Sequence, residues 1–183
     1  MLENDHEKST TTTSLPLYNG QVVQHEEVSC GILLFKIHDS DTKTYDFLLM
    51  KHSNRLDLPK GRMEPGETFL ETAKREFWEE TSIDLNLIRM HSTFEFVEQY
   101  SYFSHRKKMQ VGKTLRMYIA FVKDESTQVK VVTTEHGSHN WKLFTEKRPF
   151  SIQKNTIDPL LKSIQNYLNE KSYTLHDLYL QSQ

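Results

Sequence analysis

Gly61-Arg62-Met63-Glu64-Pro65-Gly66-Glu67 and, after seven intervening residues, Arg75-Glu76-Phe77-Trp78-Glu79-Glu80-Thr81-Ser82-Ile83 form the stretch that decides how this chain is read. Residues 54–66 hold two Pro and two Gly, so they read as loop. Residues 68–83 read as a helix, with Leu70, Ala73 and Phe77 as its apolar stripe. Glu76, Glu79 and Glu80 then stand at i, i+3 and i+4 and share one helical face. Like charges at that spacing destabilise a helix by roughly 0.2–0.5 kcal/mol per pair. A hard divalent cation is the natural compensation, and carboxylate oxygens suit Mg²⁺ or Mn²⁺ better than zinc. Gly61 and Gly66 fit a loop that must come close to a metal or a phosphate.

Outward from this stretch the chain reads as strands. Residues 29–37 and 45–51 are apolar runs separated by a polar loop, a hairpin signal. Residues 93–100 and 115–122 are further strand candidates. In the second, Leu115, Met117, Ile119 and Phe121 alternate with Arg116, Tyr118 and Ala120 in a half-buried pattern. Residues 101–113 between them read as a polar, basic loop, and residues 129–132 and 140–144 as short strands. Asp158-Pro159 opens a second helix, with Asp as N-cap, Pro at N1 and Ile157, Leu160, Leu161, Ile164 and Leu168 as its buried stripe. Leu175, Leu178 and Tyr179 fit either a docking helix or packing on the domain. Strands mixed with two helices imply α/β layering around one sheet.

The spacing of the acidic stretch resembles the Nudix box, G-x5-E-x7-R-E-U-x-E-E-x-G-U with U a bulky apolar residue. Gly61, Glu67, Arg75, Glu76, Phe77, Glu79, Glu80 and Ile83 all match. Average composition gives such a coincidence odds of roughly one in 10⁸ per starting position. Ser82 stands where the family has its last Gly. A left-handed Ser costs on the order of 1 kcal/mol, and no metal ligand is lost. The resemblance implies an α/β fold, the Nudix α/β/α sandwich with a mixed β-sheet, and hydrolysis of a phosphoanhydride bond with Mg²⁺ or Mn²⁺. It implies that Glu79 and Glu80 are the principal metal ligands, and that Glu76 is a ligand or the base that prepares the attacking water. It also implies that the carbonyl of Lys60 is a ligand, and that Arg75 and Glu67 are paired and join loop to helix beside Gly61 in a structural role.

The flanks narrow the resemblance. Leu58-Pro59-Lys60-Gly61-Arg62 is similar to the entry segment of diadenosine tetraphosphate hydrolases and of diphosphoinositol polyphosphate phosphatases. Residues 113–120, Lys-Thr-Leu-Arg-Met-Tyr-Ile-Ala, look like a strand of the dinucleoside tetraphosphate group, as does Glu135-His136 followed by Trp141. By that resemblance Glu135 assists the metal site and Lys113 contacts phosphate. Lys60 and Arg62 join it as phosphate-binding residues, and Tyr118, or Tyr100 and Tyr102 near the basic run, is placed to stack a base, with core packing the competing reading for Tyr118. The first-choice substrate is diadenosine tetraphosphate, cut to AMP and ATP. An mRNA cap or RNA 5′-triphosphate, a diphosphoinositol polyphosphate and a catalytically silent nucleotide or RNA sensor are the alternatives, and the basic run His105-Arg106-Lys107-Lys108 keeps an RNA 5′ end open as a partner.

Composition bounds the rest. The chain has 183 residues, 23 Lys plus Arg against 25 Asp plus Glu, and a net charge of −2, which argues against a surface coated for duplex binding. A single domain, residues 25–183 with a C-terminal helix near 158–170, follows a polar stretch of residues 1–24 that reads as a disordered tail. A monomer is expected. The single Cys30 cannot form an internal disulfide and points to a reducing compartment, cytoplasmic with a nuclear location open. No apolar run is long enough to span a membrane and no signal peptide is evident. His136 and His139 read as surface or supporting histidines, not zinc ligands.

Overall fold

A computed structural model describes residues 16–133, 137–145 and 150–182. Strands β1 (Leu17–Tyr18) and β2 (Gln21–Val22) form a small hairpin. There follow β3 (His25–Asp39), β4 (Thr44–Lys51), β5 (Leu56–Asp57), β6 (Lys60–Arg62) and helix α1 (Phe69–Thr81). The chain continues through a short 3-10 turn (Leu85–Leu87), β7 (Ile88–Ser104), β8 (Met109–Val122), β9 (Ser138–Leu143), α2 (Ile157–Lys171) and α3 (Leu175–Gln181).

The main sheet has seven strands. Its path is β5-β4-β3-β8-β7, with β6 on β3 and β9 on β4. Among the described residues only β3 and β8 run parallel, over eleven paired positions from His25–Val111 to Phe35–Phe121. A sheet covered on both faces needs strands that are apolar on both faces. On β3, Ile32 and Leu34 point to the α1 side, whereas Leu33 and Phe35 point to α2 and α3. Two cores result. Ala73 and Phe77 of α1 pack with Cys30, Ile32, Leu48 and Ala120, and the buried stripe of α2 packs with Phe35, Phe47, Phe121 and Phe144. This is the α/β/α sandwich with a mixed sheet.

Several sequence expectations change. Val23 is fully buried and Tyr18 nearly so, so the polar tail does not extend to residue 24; residues 1–15 lie outside the described residues. Residues 54–66 are not loop throughout, because Lys60–Arg62 pairs with Ser29–Gly31 as β6. The expected loop at 101–113 is a turn at residues 105–108 between two long strands, since β7–β8 pairing runs on to Ser104–Met109. Polar residues mark solvent exposure, which strand ends next to a turn share with a loop. The half-buried pattern of 115–122 fails on its second face, where α1 covers Ala120 and Val122. Residues 129–132 form no strand; Val132 N–H instead donates to the Thr81 carbonyl at 2.9 Å. In α1, Leu70 is exposed while Thr72 and Glu80 are buried. Helix α2 starts at Ile157 with Thr156 as N-cap, and the Asp158 carboxylate folds back to accept from the Ile152 and Gln153 N–H groups. Its predicted stripe is fully retained. Leu175 and Leu178 are buried in the α2-side core, so α3 packs on the domain.

Candidate active site

Local chemistry holds the loop and helix together. Thr68 and Glu71 form a reciprocal capping box at the start of α1. Just before it, the Glu67 carboxylate accepts from Arg75 Nε at 2.6 Å and Nη2 at 2.9 Å, from Thr72 Oγ1 at 2.7 Å and from Glu64 N–H at 3.0 Å. The Arg75 hydrogen bonds, then those from Glu64 and Thr72, hold Glu67 down at a pKa of about 2. Arg75 spends its remaining donors on Glu76 at 2.8 Å, Glu79 at 2.9 Å and the Arg62 carbonyl at 2.9 Å. One guanidinium therefore ties loop, strand β6 and two of the three carboxylates. At the other end Ser82 is left-handed, with φ 55° and ψ 20°, and its hydroxyl donates to the Val132 carbonyl at 3.1 Å. The turn proceeds as the family's Gly would allow, with that side-chain bond offsetting part of the strain.

The three carboxylates differ in environment. Glu79 is half-exposed. Glu76 lies against Gly61: a Cβ built at Gly61 would stand 1.9 Å from Glu76 Oε2. Gly61 thus leaves the space that the carboxylate facing it occupies, and a larger residue would push that carboxylate aside. Glu80 is buried and accepts the Lys60 N–H at 3.0 Å. Burial pushes its pKa up to about 8, and the Lys60 hydrogen bond and charge only partly offset that. Among the described residues no three His, Cys, Asp or Glu side chains already stand as a metal-binding cluster. The donor set nonetheless suits a hard cation: an all-carboxylate face, a backbone cradle with no Cβ, and a buried carboxylate held beside the Lys60 N–H. Glu135 and His136 lie outside the described residues.

Lys60, whose N–H donates to Glu80, also lines a cleft of about 720 Å³ together with Arg55, Asp57, Glu98, Tyr100, Ser101, Tyr102 and the segment Gln153 to Thr156. The sequence alone points to Lys60, Tyr100 and Tyr102 but not to Asp57, Glu98, Arg55 or Lys154. Asp57 is buried and sits 3.0 Å from the Lys60 ammonium and 3.4 Å from Arg55. Burial raises its pKa, but Lys60 outweighs that and leaves it lowered. Glu98 has one buried oxygen without a hydrogen-bond partner, and burial raises its pKa. Tyr118 does not line the cleft. It packs on the α1-side core and donates to Glu95 at 3.0 Å, in keeping with the packing alternative.

Arg62 and Lys113 meet at a residue the sequence reading passed over. Glu27 lies 3.2 Å from Arg62, 2.8 Å from Lys107 and 3.6 Å from Lys113, and accepts the Tyr102 hydroxyl at 3.2 Å. Burial raises its pKa, but the Lys107 hydrogen bond and the neighbouring cations prevail and hold it at about 2. No local signal marks Glu27. Strand pairing brings it beside Lys113, and Lys113 in turn opposite Tyr100.

This fold, with a carboxylate-bearing helix capped by a Glu67–Arg75 clamp, defines a phosphoanhydride hydrolase of the Nudix type, and comparison with known families agrees. The NUDIX domain model matches residues 30–160, and the chain belongs to that family. A bis(5′-nucleosyl)-tetraphosphatase (asymmetrical) of Mus musculus is 32% identical over 119 residues, covering 62% of this chain and 76% of the relative. That of Sus scrofa is 33% identical over the same length. Among solved structures, a C. elegans Ap4A hydrolase binary complex superposes with a TM-score of 0.60 at 21% identity, covering 79% of this chain and 98% of that one. The Nudix hydrolase RenU of M. smegmatis gives 0.53 at 15% identity, covering 84% and 91%. At those identities the structures attest the fold. Among the described residues no helix is long and apolar enough to cross a membrane.

Proposed function

We propose that this chain hydrolyses diadenosine tetraphosphate asymmetrically, giving AMP and ATP. The observation that carries the reading is the cleft that meets the carboxylate-bearing helix at Lys60, where Arg55, Lys60 and Lys154 supply positive charge and Tyr100 and Tyr102 supply aromatic surface. A nucleoside polyphosphate needs both, since phosphates require cations and a base gains roughly 1–3 kcal/mol by stacking on an aromatic ring. The curated relatives that match over 119 residues carry the name of that activity.

In this reading Glu76, Glu79, Glu80 and the Lys60 carbonyl hold Mg²⁺ or Mn²⁺, with Glu135 as a further contributor. A bound divalent cation neutralises charge on the reacting phosphate and lowers the pKa of a coordinated water. The chain's own residues do the rest. Arg75 orients Glu76 and Glu79, and the β6 backbone at Gly61 keeps the carboxylates close to the loop. The Lys60 ammonium, steadied by Asp57, faces the phosphates. Tyr102, Arg62 and Lys113 hold substrate away from the cleaved bond. Glu76 is the candidate to take the proton from water, with Glu80 and Glu135 as alternatives.

Product analysis with Mg²⁺ tests this, with diadenosine tetraphosphate, capped RNA, 5′-triphosphate RNA and a diphosphoinositol polyphosphate offered in parallel. Selective release of AMP and ATP is expected, and excess EDTA should abolish it. Preference for an RNA end, or turnover that survives EDTA, would overturn the reading.

A further inference from the structure

We propose that Lys107, Arg62 and Lys113, gathered on the buried carboxylate of Glu27, form a subsite for the phosphates of the substrate that lie farthest from the catalytic carboxylates. The inference rests on the nucleoside polyphosphate reading above and adds to it two residues outside the family pattern, Lys107 as a direct contact and Glu27 as a positioning residue.

A gradient of exposure supports it. The side chain of Glu27 is 5% exposed, that of Lys113 13%, that of Lys107 26% and that of Arg62 55%. The carboxylate is thus the floor of the cluster and the cations its open surface. A lysine ammonium has three donors and a guanidinium five. Each cation spends part of that capacity on Glu27 and keeps donors for an incoming anion. Three cations converge on the one Glu27 carboxylate, while Glu26 and Glu64 line the same pocket.

Position supports it too. The Arg62 carbonyl accepts from Arg75, so the residue whose side chain reaches Glu27 is anchored by its backbone to the catalytic helix. Tyr102 both lines the cleft and donates to Glu27. Tyr102 thus joins the cleft to a neighbouring pocket lined by Glu27, Arg62 and Lys107, which is where the far phosphates of a long substrate would be met. Lys107 stands at the β7–β8 turn, where Lys108 adopts a left-handed conformation with φ 53° and the Lys107 N–H donates to Ser104 Oγ at 3.2 Å. A long free lysine has little reason to be held at a defined point; Glu27 supplies that definition.

The test is binding of inorganic tripolyphosphate to the metal-free full chain by calorimetry, which does not depend on which nucleotide is cleaved. Lys107→Met is expected to weaken binding by about fivefold and Lys107→Arg to restore most of it. In a Glu27→Gln background the further change Lys107→Met should cost less than about twofold, because Lys107 is no longer held. An unchanged affinity in Lys107→Met would overturn the subsite, and an equal loss in both backgrounds would overturn the positioning role of Glu27. If Glu27→Gln fails to fold, the Lys107 pair alone decides. Should diadenosine tetraphosphate not be turned over while Lys107→Met still weakens tripolyphosphate, the substrate reading falls and the subsite stands.

Discussion

Between Lys60 and Glu80 the functional contacts close over short stretches of chain: Glu67 reaches Arg75 eight residues on, Arg62 reaches Arg75 thirteen on, and Lys60 reaches Glu80 twenty on. Around Glu27 the partners are distant, with Tyr102 75 residues away and Lys107 80. The first region is a loop and a helix whose geometry follows from a cap, a left-handed turn and one arginine. The second exists only because β3 and β8 pair in parallel while β7 folds back on β8. Bond-breaking chemistry is thus carried on a local, nearly self-contained unit, and recognition on a surface assembled from across the chain.

If that division holds, damage to the first region should strike turnover and damage to the second should strike affinity. The largest effect is expected for Glu80→Gln, which keeps the shape and an acceptor for the Lys60 N–H but removes the charge. Its kcat should fall about a thousandfold. The melting temperature of the metal-free protein near pH 7 should not fall, since burial already keeps that carboxyl largely protonated and the amide is neutral too. Loss of stability with kcat retained would make Glu80 a structural residue. Gly61→Ala comes next. Its Cβ would collide with the Glu76 carboxylate, and an about hundredfold loss in kcat is expected from the displaced group. Steady-state kinetics with wild-type turnover would break the proposed closeness of loop and carboxylate.

On the other side of the comparison, Tyr100→Ala should raise KM about tenfold and leave kcat little changed. A fall in kcat without a change in KM would put Tyr100 in the catalytic unit. A pH series sharpens the same contrast. The folded pKa of Glu27, about 2, lies below the ordinary carboxylate value, so its stabilisation is fully present above pH 4.5 and is lost as pH falls through 2. Glu27→Gln should therefore lower stability at pH 6 more than at pH 3, measured by urea unfolding. An equal loss at both would show that packing, not charge, holds the cluster. The smallest effect belongs to Ser82→Gly, which relieves the left-handed strain but loses the Val132 contact and loosens the unfolded chain less favourably. A net change under about 1 kcal/mol is expected in urea unfolding.

The two regions also differ in how far they could be read in advance. The helix, its acidic face, the Glu67–Arg75 clamp and the need for a small residue at Gly61 are all carried by residues within one stretch. Leu70 was misplaced because a helix covered on one side by a sheet buries what the sheet reaches, here Thr72 and Glu80, and not every apolar residue of the right period. The β7–β8 hairpin resembles a loop in sequence because polarity marks solvent exposure, which the exposed end of a strand ladder shares with a loop. Asp57 and Glu98 carried no signal, since a single carboxylate gains meaning only from what faces it.

The sequence by itself determined the class of chemistry: spacing along a helix is set by its 3.6-residue turn, so three carboxylates and their arginine are placed by covalent order alone. Only the tertiary structure decided that Glu27 gathers Arg62, Lys107 and Lys113, that Tyr102 and not Tyr118 faces the cleft, and that the segment before α2 closes its far side. Strand register places those residues, and register depends on pairing between segments far apart, where a shift of one residue turns every side chain to the opposite face.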